Sequence, residues 1–445
     1  MQKWPAEFLE KMKVELGDEY PTFLESLATT APVSIRLNPW KNGAAPQDAK
    51  RVPWCSTGYY LSERPAFIFD PVFHAGSYYV QEASSMFLES VYRQIVQELP
   101  PKNVLDLCAA PGGKSTHLLS MLPPDSLLVS NELIPRRNAI LRQNLVKWGV
   151  ANVFVTQNDP EDFGKLGSFF DVVVVDAPCS GEGLFRRDPD AAQEWSAAAV
   201  EHCSLRQTEI LRQALAVLKR GGILIYSTCT FEKSEDEAQI QAMIDAGLVE
   251  NVELDAAFDG IVKTENGLRF YPHRVSGEGF FISAVRKTGN DTHSKRVRKT
   301  FLLQHVPKQL EDHFLSPSDF RISLHDERVY AIPVSFVDTF MYLSEMLFIR
   351  QAGIFAGTVK GKDFIPSHDI ALSVHMRKTG RTVELNKEQA LLFLKGEPVK
   401  PENPGIGWYL VSYHDLPLGW IKIMEGRVNN YLPKEWRIQK DLPAE

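Results

Sequence analysis

Five short apolar segments, separated by stretches with helical periodicity, constrain the fold of this chain more than any other feature. The stretches near 114–122, 135–148, 193–219 and 233–246 are long enough to be helices. Strands that are apolar throughout are typical of a parallel sheet covered by helices on both faces. The pattern therefore predicts an α/β domain with a doubly wound sheet. The five segments are residues 104–107, 127–129, 153–155, 172–175 and 223–226.

The regions on either side of this block have different patterns. Before it, helical spacing and then an alternating stretch (Val33, Ile35, Leu37) indicate an α+β segment, which ends in a helix predicted at 82–98. After it, a polar basic stretch precedes two small units, the second with Gly and Pro turns between short strands. We predict an N-terminal segment at 1–95, an α/β domain at 96–287, a basic linker at 288–300, an α+β extension at 301–380 and a compact, mostly β module at 381–445.

Composition excludes several classes of protein. No run of 18 apolar residues occurs among the 445, so no spanning helix is expected. Charged residues interrupt the first 13 positions, where a signal peptide needs an apolar block. The five cysteines have no CxxC spacing, which argues against a disulfide scaffold or a zinc finger. We expect a cytoplasmic, monomeric enzyme with reduced thiols and no metal.

Charge is distributed unevenly along the chain. The net charge is −7, but residues 286–445 carry 23 Lys and Arg against 19 Asp and Glu. A basic C-terminal part is compatible with an anionic partner, although solvated surface charge explains the number equally well. The linker is either a solvated tether or an arm that contacts phosphates through its basic side chains. Those side chains are Lys295, Arg296, Arg298 and Lys299.

A loop of small residues follows the first predicted strand, in the sequence VLDLCAAPGGKST at 104–116. At this place in a doubly wound sheet the backbone approaches a nucleotide-like cofactor. GGKST resembles the end of a P-loop, but the first glycine of that motif is replaced by Cys108. The alternative is an S-adenosylmethionine fold, which needs an acid after the second strand, and Glu132 is there. Asp159 follows the third strand and either reaches the cofactor or caps an Asx turn before Pro160.

Two cysteines follow the fourth and fifth predicted strands. The strand that ends at Asp176 leads into a loop with Cys179, and Cys229 lies just past the next strand. Carboxyl ends of parallel strands share one edge, so both thiols are expected to face the cofactor. A thiolate that adds to carbon 6 of a pyrimidine makes carbon 5 nucleophilic enough to attack a methyl sulfonium. Asp176 is placed to hydrogen-bond the edge of the base.

These motifs together resemble the RNA cytosine-C5 methyltransferases of the RsmB/NOP2/Sun type. GEGLFRRDP at 181–189 and the tail, including NNYLPKEWR at 429–437, are similar to the bacterial RsmF branch, which methylates small-subunit ribosomal RNA. The resemblance implies a class I methyltransferase with a Rossmann-like sheet, an N-terminal RNA-binding segment and a C-terminal PUA-like module. The matching segments are CAAPGGK (108–114), Glu132, Asp159, DAPCSGEG (176–183) and STC (227–229).

The resemblance also implies roles for individual residues. Cys229 is the expected nucleophile and Cys179 assists in resolving the adduct. In the tail, Trp408 and Trp420 are interpreted as core of the β module, whereas Lys434 and Arg437 are RNA-binding candidates. The expected S-adenosylmethionine contacts are Cys108, Ala109, Ala110, Pro111, Gly112, Gly113, Lys114, Glu132, Asp159 and Asp176.

Three alternatives remain open at this point. The RNA substrate is 16S ribosomal RNA, free or in an assembling 30S subunit, or it is a transfer RNA. A P-loop NTPase is a hypothesis from a different class, against which Cys108 and the two cysteine loops weigh. A catalytically idle RNA-binding protein is the third, although both cysteines and all the acids are present.

Overall fold

The N-terminal segment folds, over its described residues, as a four-stranded antiparallel sheet and four α-helices, two before the sheet, one between its third and fourth strands in the chain and one after it. The computed structural model describes residues 4–41, 43–96, 100–292, 314–361, 363–378, 381–402 and 405–442. The sheet has the strand order β2-β3-β1-β4. The elements are α1 (Ala6–Leu16), α2 (Tyr20–Leu27), β1 (Val33–Leu37), β2 (Lys50–Arg51), β3 (Gly58–Leu61), α3 (Pro71–His74), β4 (Tyr78–Val80) and α4 (Leu88–Ile95).

The predicted apolar segments form the parallel centre of one large mixed sheet, which confirms the expected fold class. The elements are β5 (Asn103–Asp106), α5 (Gly113–Met121), β6 (Leu127–Asn131), α6 (Pro135–Trp148), β7 (Val153–Thr156), β8 (Phe170–Asp176), α7 (Pro189–Glu194), α8 (Ala197–Val217), β9 (Leu218–Thr228), α9 (Glu237–Asp245), β10 (Val249–Asn251), β11 (Val262–Lys263), β12 (Leu268–Phe270) and β13 (Phe280–Lys287).

The strand order places a crevice beside β5. The parallel strands run in the order β9-β8-β5-β6-β7, so the chain moves outward from β5 first on one side and then on the other. Connections that leave neighbouring strands in opposite directions open a crevice at their carboxyl ends. The loops after β5 and β8 therefore meet where a ligand has room to bind.

Local signals explain where most of the helices begin and end, and they correct two predictions. Helix α6 has Pro135 in its first turn and ends before Gly149, whose φ is +88°. The prediction of a single helix at 193–219 is wrong. Trp195 is extended after α7, and the Ser196 side chain accepts a hydrogen bond from Ala199 N, so that a new helix, α8, begins there. The helix predicted at 82–98 is shorter: α4 covers Leu88–Ile95 and follows a 3-10 turn.

Both faces of the parallel strands are buried. One face packs against α4, α5 and α6 through side chains such as Val91, Leu118 and Leu141. The other packs against α8 and α9 through Leu211 and Ile240, among others. Burial on both sides accounts for the absence of a polar position in the centres of these strands. No described helix has the length and apolar character needed to cross a bilayer.

The extension after residue 313 contributes a strand to the large mixed sheet, which the sequence did not predict. Strand β16 pairs antiparallel with the edge strand β7, and Phe348 just before it exchanges hydrogen bonds with Asn158. An uncovered β7 would present unpaired backbone groups. The elements are β14 (Phe320–His325), β15 (Arg328–Pro333), α10 (Val337–Ser344), β16 (Ile349–Ala352), β17 (Ile354–Lys360), β18 (Asp363–Pro366) and α11 (His368–Leu372).

The C-terminal module is a small sheet with one helix. Strand order is β19-β20-β21-β22, with β19 parallel to β20 and the other pairs antiparallel. Trp420 is buried and its indole N–H donates to Ser367 O, as expected of a core residue, whereas Trp408 is only half-buried. The elements are β19 (Thr382–Glu384), α12 (Lys387–Lys395), β20 (Gly407–Tyr413), β21 (Leu416–Met424) and β22 (Arg427–Asn430).

A hydrogen-bonded junction joins the N-terminal segment to the end of α6. Asn38 donates to the carbonyl oxygens of Gly76 (2.9 Å) and Trp148 (3.0 Å), and Lys41 donates to Lys147 O at 2.6 Å. Gly76 has φ +77°, and a Cβ added there would lie 1.9 Å from Lys147 O. Only glycine permits this approach of two backbones.

Replacing Gly76 with alanine is expected to lower the free energy of unfolding by about 3 kcal/mol or more, because a left-handed φ and a backbone clash act together. Gly247→Ala is the matched control: φ is +68°, but the space around its Cβ is open, so about 1 kcal/mol is expected from the backbone alone. Urea unfolding of both variants measures the difference. Equal losses would show that the junction does not depend on close backbone contact.

Candidate active site

The loop between β5 and α5 is held in shape by its neighbours. Ala109 N donates to Asn131 O at 2.9 Å, and the Ala110 and Pro111 carbonyls accept from Arg137 and Asn144. Gly112 has φ +111° at the start of α5. These contacts direct the backbone of the loop toward the crevice beside β5.

One cavity of about 770 Å³ lies along the carboxyl edge of the sheet. Its volume and its mixture of acidic and apolar lining suit a nucleoside-like cofactor, and two thiols lie at its edge for chemistry on a base. Of the ten predicted cofactor residues, six line it: Cys108, Ala110, Pro111, Glu132, Asp159 and Asp176. The other four are not among its lining residues: Ala109, Gly112, Gly113 and Lys114. Gly112 lies at the start of α5, and Lys114 contacts the lining residue Asp176.

Glu132 and Asp159 both have local hydrogen bonds as well as a place in the cavity wall. Glu132 Oε1 accepts from Ile134 N at 2.8 Å, and Oε2 lies 3.5 Å from Arg137 Nε. The Asp159 carboxylate accepts from Glu161 N, which is the Asx turn considered above. Both Glu132 and Asp159 line the cavity even though each carboxylate also accepts a local hydrogen bond.

Asp176 is held by an ion pair. Its Oδ1 lies 2.7 Å from Lys114 Nζ and accepts from Ser227 Oγ at 2.8 Å. Lys114 is 8% exposed and its ammonium lies 5.1 Å from the centre of the Phe280 ring. The lysine of the glycine loop therefore turns toward the acid at the end of β8 and fixes the direction of its carboxylate.

Two cysteine thiols meet at one end of the cavity. The Sγ atoms of Cys179 and Cys229 are 2.9 Å apart, and Cys229 N lies 3.4 Å from Cys179 Sγ. The hydrogen bond with Cys229, together with burial, raises the pKa of Cys179 well above its usual value. Two thiolates at this separation would repel each other, so the pair holds at least one proton, and the raised pKa of Cys179 favours that sulfur as its site. Burial also raises the pKa of Cys108, which remains a neutral thiol.

Buried acids that the sequence analysis missed support the cysteine loops. Glu235 accepts from Ser180 N (3.0 Å) and from the Gln207 amide (2.8 Å), and burial raises its pKa. Glu182 is fully buried and accepts from Phe231 N, which links the two loops, and burial raises its pKa as well. In the sequence, the one indication of this supporting role was the position of Glu182 within the GEG motif at 181–183.

A second group of potential ligands lies elsewhere among the described residues. The side chains of Cys55, Glu89 and His117 are buried, with ligand atoms within 4.8 Å of one another. Burial and the nearby Arg36 guanidinium lower the pKa of His117 to about 4, so the ring is neutral. Glu89 accepts from Ser56 N, and its Oε2 lies 3.3 Å from the His117 ring nitrogen. These contacts and the adjacent arginine describe a hydrogen-bonded core cluster.

Three family models match most of the chain. The model described as 16S rRNA methyltransferase RsmB/F matches residues 94–286, the N-terminal domain of 16S rRNA methyltransferase RsmF matches 4–83, and the methyltransferase RsmF PUA domain matches 381–438.

Known relatives agree with these matches. A ribosomal RNA small subunit methyltransferase F of Vibrio vulnificus is 32% identical over 416 residues, covering 88% of this chain and 86% of the relative. Its counterpart in Aliivibrio fischeri is 31% identical over 434 residues and covers 90% of each chain. Among solved structures, a methyltransferase homolog protein from Pyrococcus horikoshii is 29% identical, with a TM-score of 0.52, and covers 64% of this chain and 100% of that one.

Glu132→Ala is expected to raise the KM for S-adenosylmethionine about tenfold to a hundredfold with a smaller change in kcat, because hydrogen bonds to a charged acceptor contribute about 1.5–3 kcal/mol. Asp162→Asn is the control, since it removes an acid whose partner is the exposed Lys165. Calorimetric titration with the cofactor checks the binding directly. Unchanged affinity in Glu132→Ala would contradict its assignment as a cofactor contact.

Proposed function

The chain belongs to the family of 16S rRNA methyltransferases RsmB/F, and we propose that it acts through a covalent bond between Cys229 and carbon 6 of the target cytosine. Membership of this family makes it an S-adenosylmethionine-dependent enzyme that forms 5-methylcytosine in 16S ribosomal RNA. The NTPase and idle-protein hypotheses are thereby set aside, and ribosomal RNA is favoured over transfer RNA.

The observation that carries the proposal is the pair of thiols at the cavity edge. The raised pKa of Cys179 disfavours that sulfur as the thiolate, and the motif resemblance assigns the attack on carbon 6 to Cys229. Its addition to carbon 6 moves the electrons of the C5–C6 double bond into the ring, which makes carbon 5 nucleophilic. S-adenosylmethionine, held by residues of the cavity wall such as Glu132, would supply the electrophilic methyl group.

Asp176 is assigned to the edge of the base. Its pairing with Lys114 fixes the direction of the carboxylate, and its side chain is 38% exposed in the wall of the cavity. A carboxylate there accepts a hydrogen bond from the exocyclic amine of cytosine, which orients the ring for attack by Cys229. The target base must leave its stack to reach this edge.

Cys179 is assigned to the second half of the reaction. Once Cys229 is a thioether, the hydrogen bond that most raises the pKa of Cys179 is gone, so this thiol can release its proton to solvent. The Cys179 thiolate then accepts the proton of carbon 5. The electron pair of that C–H bond restores the C5–C6 double bond and expels Cys229 as a thiolate.

The RNA contacts outside the cavity are proposed from charge. Lys434 is exposed, whereas Arg437 is half-buried and donates to Leu432 O, which suits an anchor within the module better than a phosphate contact. Lys422 lies 5.2 Å from the ring centre of the half-buried Trp408, and together they offer a stacking and phosphate-binding surface. The basic side chains predicted at Lys295, Arg296, Arg298 and Lys299 lie outside the described residues.

The substrate class extends this proposal to partners and location. We extend the proposal to a monomeric enzyme that acts in the cytoplasm on 16S rRNA or on an assembling 30S subunit. The names of the relatives support the RNA substrate.

Variants of the two cysteines are expected to behave in opposite ways. Cys229→Ser forms no adduct and no product, since a hydroxyl near neutral pH is a far weaker nucleophile than a thiolate. Cys179→Ser still runs the first half of the reaction, so methylated RNA stays bonded to Cys229. A denaturing gel with labelled 16S rRNA and cofactor should show a shifted band for Cys179→Ser alone.

Cys203→Ser controls for the loss of a thiol in the same cavity wall and should leave methylation intact. A shifted band from Cys229→Ser instead would exchange the two roles. Intact methylation in both single variants would remove covalent catalysis from this protein.

The double variant Lys422→Ala with Lys434→Ala is expected to weaken RNA binding and to reduce the slope of log K against log salt by about 1 to 2, because each phosphate contact releases roughly one counterion. The control is Lys165→Ala with Lys263→Ala, two exposed lysines that pair with Asp162 and Glu253. Filter binding over a range of salt concentrations measures both slopes. The same slope in both double variants would argue against the module surface.

A further inference from the structure

A lysine of the N-terminal helix α1 bridges the two cysteine loops. Lys11 Nζ lies 2.6 Å from Glu182 Oε1 and 2.5 Å from Glu232 Oε2. Glu182 is three residues after Cys179, and Glu232 is three residues after Cys229. One ammonium group therefore contacts corresponding positions of both catalytic loops.

The burial of Glu182 makes this cation necessary. Its side chain is 0% exposed and its carboxylate also accepts from Trp195 Nε1 at 3.0 Å and from Phe231 N at 3.3 Å. A buried carboxylate is costly unless it is paired and hydrogen-bonded. Without Lys11, the carboxylates of Glu182 and Glu232 would face each other with no cation between them.

Aromatic packing fixes α1 in this position. The ring of Phe8 meets Phe185 edge to face with centroids 4.9 Å apart, and Phe23 of α2 meets Phe231 in the same way at 5.5 Å. Further along α1, Glu15 accepts from the Tyr271 hydroxyl at 3.0 Å. The helix is thus packed on both loops, and Lys11 is presented to them from a fixed direction.

We propose that Lys11 is a positioning residue for methyl transfer: it holds the loops of Cys179 and Cys229 in register, so that the N-terminal helix is part of the catalytic unit. This inference rests on the covalent function proposed above. The loops are also joined directly, by hydrogen bonds from Gly183 N to Cys229 O (2.9 Å), between the Ser180 and Thr230 hydroxyls (2.9 Å) and from Phe231 N to Glu182 (3.3 Å). Loss of Lys11 therefore loosens the pair of thiols and does not separate the loops completely.

Steady-state methylation of 16S rRNA by the full-length protein tests the proposal. Lys11→Met should lower kcat about tenfold to a hundredfold, because small displacements of reacting groups have effects of this size, and should change the KM for RNA and cofactor less than twofold. Lys11→Arg keeps the charge and should recover most of kcat. Lys13→Met, an exposed lysine of the same helix, is the matched control and should match the wild type.

A second change separates charge from packing. In Lys11→Met with Glu182→Gln, no uncompensated buried charge remains, so kcat should exceed that of Lys11→Met alone. If Lys11→Met shows no cofactor binding by calorimetry and is therefore misfolded, Glu232→Gln replaces it. That variant removes one of the two ion pairs at a partly exposed side chain and should lower kcat severalfold.

Two results would overturn the proposal. The first is unchanged kcat in a folded Lys11→Met or Glu232→Gln. The second is a raised KM for RNA with a flatter salt dependence and unchanged kcat in Lys11→Met, which would make Lys11 an RNA contact. Absence of methylation by the wild-type protein would refute the proposed function and is distinct from both.

Discussion

The shared carboxyl edge of the five parallel strands is the constraint on which the rest of the structure depends. Parallel pairing of β5, β6, β7, β8 and β9 brings their C-terminal loops to one side. Residues that are far apart in the chain, such as Glu132 and Cys229, thereby line the same cavity. Because both faces of these strands are buried, the edge is the place where polar chemistry meets solvent.

The other parts of the chain support this edge instead of standing apart from it. The extension adds β16 beside β7, and side chains from α10 such as Leu343 join the core on one face of the sheet. The N-terminal segment covers the other face through residues such as Phe87, and it meets the end of α6 at Gly76. Both flanking regions therefore stabilise the domain that holds the catalytic loops.

Several of the acids around the cysteine loops are balanced locally. Asp176 has Lys114, and Glu182 has Lys11, while Glu235 is held by neutral donors and has a raised pKa. The two thiols follow the same rule, since the hydrogen bond between them favours one proton on Cys179. An active site built in this way keeps few unpaired charges near the cysteines before RNA binds.

By itself the sequence determined the parallel α/β sheet, the glycine loop, the acids after the strands and the two cysteine loops. These features follow from local patterns, because an apolar strand, a proline at a helix start or a loop motif can be recognised from a few consecutive residues. The tertiary structure alone decided that β16 completes the catalytic sheet and that Lys11 lies between Glu182 and Glu232. Such contacts join residues more than 150 positions apart. They depend on which surfaces pack together in the folded chain, and local sequence patterns do not predict that.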